Sequence, residues 1–228
     1  MKIAVCMSGQ PRTIAQVWRT LHFNFLKSLD YDLFIHSSEY YPVEADFFTT
    51  LQPRIYRVEK QYAFPELVEQ MAPIYFNAQA LKGNLQQAYA WKRVFQLKDL
   101  YSQDHNIVYD VVVRLRPDIE YLSPITLDMF DLTKINYFPR IADPERNQCP
   151  TDVFAIGPDT LMNKLGELFG WLPGTLPTNY NWTGRLPAIN AEVCGGKHSP
   201  ESVLATFLAD VPCCPAVPIL EDVIRLAR

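Results

Sequence analysis

The chain opens on a short unbroken apolar run, Ile3 to Met7, followed by the polar turn Ser8-Gly9-Gln10-Pro11-Arg12 and a helix-period pattern from Thr13 to Leu29. That strand-then-helix order recurs. Asp32 to His36 and Ile55 to Val58 read as strands, and Leu81 to Ser102 as a long amphipathic helix. The β-branched run Val111-Val112-Val113 reads as a strand covered on both faces. Strands alternating with helices predict a mostly parallel, doubly wound α/β sheet flanked by helices.

Beyond Asp118 the pattern loosens. Ile135 to Phe138 and Val153 to Ile156 read as short strands, separated by the aperiodic polar stretch IADPERNQCPT, which is expected to be a mobile loop closing over the sheet edge. Pro158 to Phe169 reads as a helix, and Pro173 to Pro187 is rich in turn residues. Ser199 to Leu208 reads as a helix capped by Ser199, with Pro200 and Glu201 in its first turn, and Ile219 to Ala227 as a last helix.

One strand breaks the rule that core strands are apolar. In DVVVRLRPDIEY, period-two alternation places Arg114, Arg116, Asp118 and Glu120 on one face and Val113 and Leu115 on the other. Pro117 cannot donate to a ladder, so pairing should stop there and leave Asp118 at the strand's carboxyl edge, where open α/β sheets bind ligands. Buried guanidinium groups need acids or a bound anion. The stripe is therefore either a ligand site or an internal ion-pair network with Asp118, Glu120 or Asp110.

Composition narrows the class. The 228 residues fit one large domain, and 48% hydrophobic with 20% charged residues is ordinary for a globular chain. A net charge of -4 argues against general nucleic-acid binding but permits a local basic pocket. The five cysteines, Cys6, Cys149, Cys194, Cys213 and Cys214, show no C-x-x-C spacing and are expected to be reduced thiols. No signal-peptide h-region and no transmembrane run is evident, so a cytoplasmic location is expected, and the sequon at Asn181 has no compartment in which to act.

Other candidate chemistry is scattered. SGQPR lacks the glycines of a P-loop or dinucleotide fold, yet Ser8, Gly9 and Arg12 end the first strand, where backbone amides receive anions. Asp152 is either a cap or a second carboxylate at the same edge. His198 is a metal ligand or a turn histidine, and Glu201 a first-turn acid held by the helix dipole. Lys92 and Arg93, amid Tyr89, Trp91 and Phe95, belong to a solvated face or to a helix lining a pocket.

KIAVCMSGQPRT, AYAWKRVFQLKDL, YDVVVRLRPDIEY, TDVFAIGPDTLM and HSPESVLATFL occur in that order over most of the chain. Together they resemble the GT-A-like glycosyltransferases of bacteria and large DNA viruses. The resemblance implies one domain over 1–228, with residues 1–120 holding a nucleotide-sugar donor and 121–228 facing a glycan or other hydroxyl acceptor. It sets Ser8, Gly9 and Arg12 near the nucleotide and puts Arg116-Pro117-Asp118 where such enzymes carry a D-x-D motif holding Mn²⁺ or Mg²⁺; Lys92, Arg114 and Arg116 are the further donor-binding candidates. Arg116 replaces the first acid. A metal on Asp118 then needs Glu120 or His198 as well, or else Arg114 or Arg116 neutralises the diphosphate directly. Glu201 and then Asp152 are the implied general bases. A non-catalytic binding domain and a nucleotidyltransferase are the alternatives on the same fold.

Overall fold

A computed structural model describes residues 1–38, 47, 50–71, 78–140, 149–175, 204, 207–208, 211–215 and 224–226. The strands are β1 (Ile3–Ser8), β2 (Tyr31–Ser38), β3 (Ile55–Glu59), β4 (Val111–Leu115), β5 (Ile119–Tyr121), β6 (Ile135–Arg140), β7 (Cys149–Pro158), β8 (Cys213–Pro215) and β9 (Ile224–Leu226). The helices are α1 (Ile14–Asn24), α2 (Pro65–Met71), α3 (Ala78–His105) and α4 (Asp159–Thr175), with a 3₁₀ turn at Leu26–Ser28 after α1.

Seven strands form one sheet in the order β3-β2-β1-β4-β7-β6-β8, and β5 pairs with β9 in a separate ribbon. β1, β2, β3 and β4 are parallel, β7 runs antiparallel to both β4 and β6, and β8 is parallel to β6. Only β7 is therefore reversed, and the mostly parallel α/β architecture expected from the sequence is what forms.

Period two in the strands divides the interior into two cores. Ile3, Val5 and Met7 of β1, with Val111, Val113 and Leu115 of β4, pack against Ile14 and Leu21 of α1 and a knot of Phe25, Phe138 and Phe154. Ala4 and Cys6, with Val112 of β4, face Leu85, Ala88 and Trp91 of α3 and Met162 and Leu165 of α4. β4 is buried along all five residues, as a central strand must be. Arg114 shares the α3 face with Val112.

Two readings change. Ile224–Leu226, expected in a terminal helix, is a strand paired antiparallel with Ile119–Tyr121, and the alternation Ile-Arg-Leu suits a ribbon with one covered face. β7 starts at Cys149, so the end of the expected lid loop is sheet, and Thr151 Oγ donates to the Phe138 carbonyl at 2.9 Å. Residues 141–148 and the expected helix start at Ser199 lie outside the described residues. Among the described residues no helix is long and apolar enough to cross a membrane.

The amino-terminal edge of the sheet is tied by charge. Asp32, 1% exposed, accepts from Arg54 at 2.6 Å and from the Tyr109 hydroxyl at 2.9 Å, with the Lys2 ammonium 3.1 Å away. Burial opposes its charge, but the bonds from Arg54, Lys2 and Tyr109 outweigh that and hold the carboxyl below its ordinary pKa. A depressed folded pKa means stability that is complete above the unfolded value of about 3.9 and lost as pH falls through the folded one. Asp32→Asn is expected to cost about 1 to 3 kcal/mol at pH 7 and to flatten this acid limb. Urea unfolding at neutral and acidic pH checks both; equal acid sensitivity in the variant contradicts the assignment.

Candidate functional site

A cavity of about 280 Å³ lies at the carboxyl edge of β1, β2, β3 and β4, roofed by α3. Ser8, Gly9, Gln10 and Arg12 follow β1; His36, Ser37 and Ser38 end β2; Glu59 ends β3; Arg114, Arg116 and Asp118 come from β4 and the turn after it. Because β7 is reversed, its start meets the same edge, and this brings Asp152 into the wall. α3 adds Gln86, Gln87, Tyr89 and Trp91.

The turn after β1 is held from two sides. Gly9 N–H donates to the His36 carbonyl at 3.3 Å, and Ser37 Oγ donates to the Gly9 carbonyl at 3.1 Å. Gly9 adopts φ 135°, and a Cβ there would stand 3.2 Å from Pro117 Cδ. Only glycine combines that dihedral with that approach. The ends of β1 and β2 are thus bonded together at the cavity, with Pro117 after β4 close against Gly9.

β4 stops at Leu115, and Pro117 turns the chain, as its missing N–H requires. Arg116 then makes a fork on Asp118, Nε to Oδ1 at 2.9 Å and a terminal nitrogen to Oδ2 at 2.7 Å, while its other terminal nitrogen donates to Asp152 Oδ2 at 2.9 Å. Gln87 Nε2 donates to the same Asp152 oxygen at 2.8 Å. Burial opposes the Arg116 charge, but Asp152 and Asp118 together raise its pKa above the ordinary arginine value. Asp118 has both oxygens occupied. Asp152 keeps Oδ1 without a partner among the described residues.

Arg114 stands apart. It is 2% exposed, its guanidinium lies 4.3 Å over the Trp91 ring, and its Nε has no hydrogen-bond partner among the described residues. Burial lowers its pKa to about 9, with Asp152 opposing, so it is charged at neutral pH. Ser8 Oγ, His36 Nδ1, Ser38 Oγ and Trp91 Nε1, on other lining residues, are also buried without partners. Buried polar atoms are rarely left this way, and their concentration here makes this cavity the candidate binding site.

The far wall is a second ion cluster. Glu59 is gripped by Arg93 at 2.5 and 3.2 Å and receives the Tyr89 hydroxyl at 3.2 Å, with His36 Nε2 3.3 Å away. The Arg93 bonds, with His36 assisting and burial opposing, lower Glu59 to about 2. Burial pushes His36 below the ordinary imidazole value despite Glu59. A neutral His36 donating from Nε2 to Glu59 leaves Nδ1 as an acceptor. Tyr62, 61% exposed and tilted against Phe64 and Tyr89, lines the mouth as an open aromatic face.

Of the residues singled out from the sequence, Ser8, Gly9, Arg12, Arg114, Arg116, Asp118 and Asp152 therefore meet around one cavity. Asp152 is neither a cap nor a loop residue but part of β7. Lys92 points instead over the Phe169 ring, 5.4 Å from its centre, and lines a separate depression between α3 and α4. Glu120 sits in β5 opposite β9 and is not part of the cavity wall. His198 and Glu201 lie outside the described residues. His36, Ser38 and Glu59 were not singled out, although HSS and E end strands just as Asp118 does, and the strand-edge rule applied to β2 and β3 finds them.

As they stand, the carboxylates among the described residues at this cavity do not form a metal site. A hard divalent cation needs free oxygens, and Arg116 covers both of Asp118's and one of Asp152's. Among the described residues no three His, Cys, Asp or Glu side chains converge to hold a metal ion.

No family model matches the chain, and no curated protein sequence matches it. Solved structures do. The X-ray structure of the mannosyltransferase Ktr4p from S. cerevisiae superposes on 98% of this chain and 70% of that one, with a TM-score of 0.53 at 11% sequence identity. The likeness shows a shared α/β fold.

Proposed function

We propose that this protein is a glycosyltransferase that moves a sugar from a nucleotide diphosphate sugar to an acceptor hydroxyl, with the donor's diphosphate in the cavity at the ends of β1, β2 and β4. The observation that carries the reading is the pairing of a buried cation with no hydrogen-bonded acid among the described residues, Arg114, with a carboxylate oxygen left open on Asp152 in the same cavity. The fold shared with a mannosyltransferase supports it.

The chemistry follows from the charges. As the bond between the sugar's anomeric carbon and the phosphate oxygen breaks, its electron pair goes to the diphosphate, and a cation already in place stabilises that charge without reorganisation. The acceptor oxygen bonds to the anomeric carbon and surrenders its proton, for which Asp152 Oδ1 is the base within the described residues. Arg116 and Gln87 fix the other oxygen, so the open one keeps its direction.

A thermal-shift series of nucleotide sugars, nucleoside diphosphates and free sugars tests the donor assignment. A nucleotide bound at about a hundredfold excess over Kd adds about 2.7 kcal/mol, or roughly 5 to 10 °C in a domain of this size. Free sugars should shift the transition far less. A chain that responds to no nucleotide contradicts the reading.

A further inference from the structure

Resting on the donor reading above, the geometry points to a diphosphate site that works without a divalent cation. We propose that Arg114 is the anion anchor of this cavity, and that Arg116 occupies, as a fixed side-chain cation, the place between Asp118 and Asp152 that a metal ion would otherwise take.

Three observations converge on it. First, the two guanidinium groups of the stripe have opposite fates. Arg116 is consumed by two carboxylates, whereas Arg114 has no hydrogen-bonded acid among the described residues. A buried cation without a hydrogen-bonded acid is costly to keep, and an arriving anion offsets that cost. Second, the Trp91 ring centre lies 4.3 Å from the guanidinium carbon and restricts the orientation of its planar fork, which suits two oxygens of a phosphate. Third, the unpartnered Ser8 and Ser38 hydroxyls and the Trp91 N–H belong to the same wall, so an oxygen-rich ligand finds several donors there.

A metal-free site also explains why an arginine stands here in place of the first acid of a D-x-D pair. Arg116 neutralises Asp118 and Asp152 internally, leaving Arg114 as the positive charge that the ligand meets. Arg12 and Lys60, both exposed at the mouth, add attraction for an incoming anion.

Calorimetric titration of pyrophosphate, UDP and GDP into the full chain, in EDTA and in excess Mn²⁺, tests this. The expected result is equal affinity in both buffers. Arg114→Met should weaken binding by about 10- to 100-fold, with a melting temperature unchanged or higher, since methionine replaces an unpaired buried cation. Arg114→Lys keeps the charge but loses the flat fork, and should fall between wild type and Arg114→Met; it also decides the matter if the methionine variant does not fold. Binding that vanishes in EDTA and returns with Mn²⁺ overturns the metal-free site and leaves the donor reading standing. Wild-type affinity in both Arg114 variants, or no binding of any of the three probes, overturns the anchor. Pyrophosphate bound through Arg114 with no response to either nucleotide supports the anion site and counts against the donor reading.

Discussion

Arg116→Met is expected to lower stability by about 3 to 5 kcal/mol, because it strands two carboxylates that share one guanidinium. The side chains of Asp118 and Asp152 are only 9% and 13% exposed, so water replaces the lost partner poorly. The turn at Pro117 and the start of β7 are held together by this one residue, whose backbone N–H also donates to the Val153 carbonyl at 3.1 Å. Urea unfolding of wild type and variant measures the loss. In the variant the two freed carboxylates attract a divalent cation, so Mn²⁺ should restore part of the stability there and leave wild type unmoved. A loss below about 1 kcal/mol shows an ion network that is decorative, of the kind common at surfaces. It would also return Arg116 to the list of groups free to meet a ligand.

Much of this site was legible because local rules sufficed. Pro117 had to end the strand, and period two put Arg114 with Val112 on the α3 face, where Trp91 meets it. Glu120 shows where the same rule fails. The turn at Pro117 resets the phase, so counting alternation across it carries Glu120 onto a face that it does not occupy; β5 restarts at Ile119 and pairs with β9. Lys92 fails for the helical counterpart of that reason. One residue is about 100° of rotation, so the neighbour of a core tryptophan faces Phe169 on α4 instead of the sheet. Whether Asp152 was a cap or a second carboxylate at the edge stayed open, because nothing local reveals that β7 begins at Cys149 and runs against β4. That is set by a register pairing Leu115 with Phe154, far apart in sequence. The committed state of Arg116 was equally hidden, since either guanidinium of the stripe was a fair partner for the acids until the three-dimensional positions of Asp118 and Asp152 selected one.

Asp152→Asn carries the second large effect. Asparagine keeps the shape and an oxygen for Arg116 and Gln87, and Arg116 retains its fork on Asp118, so the fold should survive with a small loss of stability. What disappears is the basic oxygen that takes the acceptor's proton, and removing a general base typically costs about 10²- to 10⁴-fold in rate. Donor affinity should hold or improve, because one negative charge leaves the neighbourhood of Arg114. A fall in turnover with binding intact separates a role in proton transfer from a role in folding. The most direct measurement is release of nucleoside diphosphate from whichever nucleotide sugar stabilises the chain, with water and a panel of added alcohols and glycans as acceptors, followed in wild type and Asp152→Asn under saturating donor. Steady release by wild type, reduced at least about a hundredfold in the variant, is the result predicted. Tight donor binding with no release from wild type would contradict catalysis and identify a binding domain, and equal release from both proteins would remove Asp152 from the reaction.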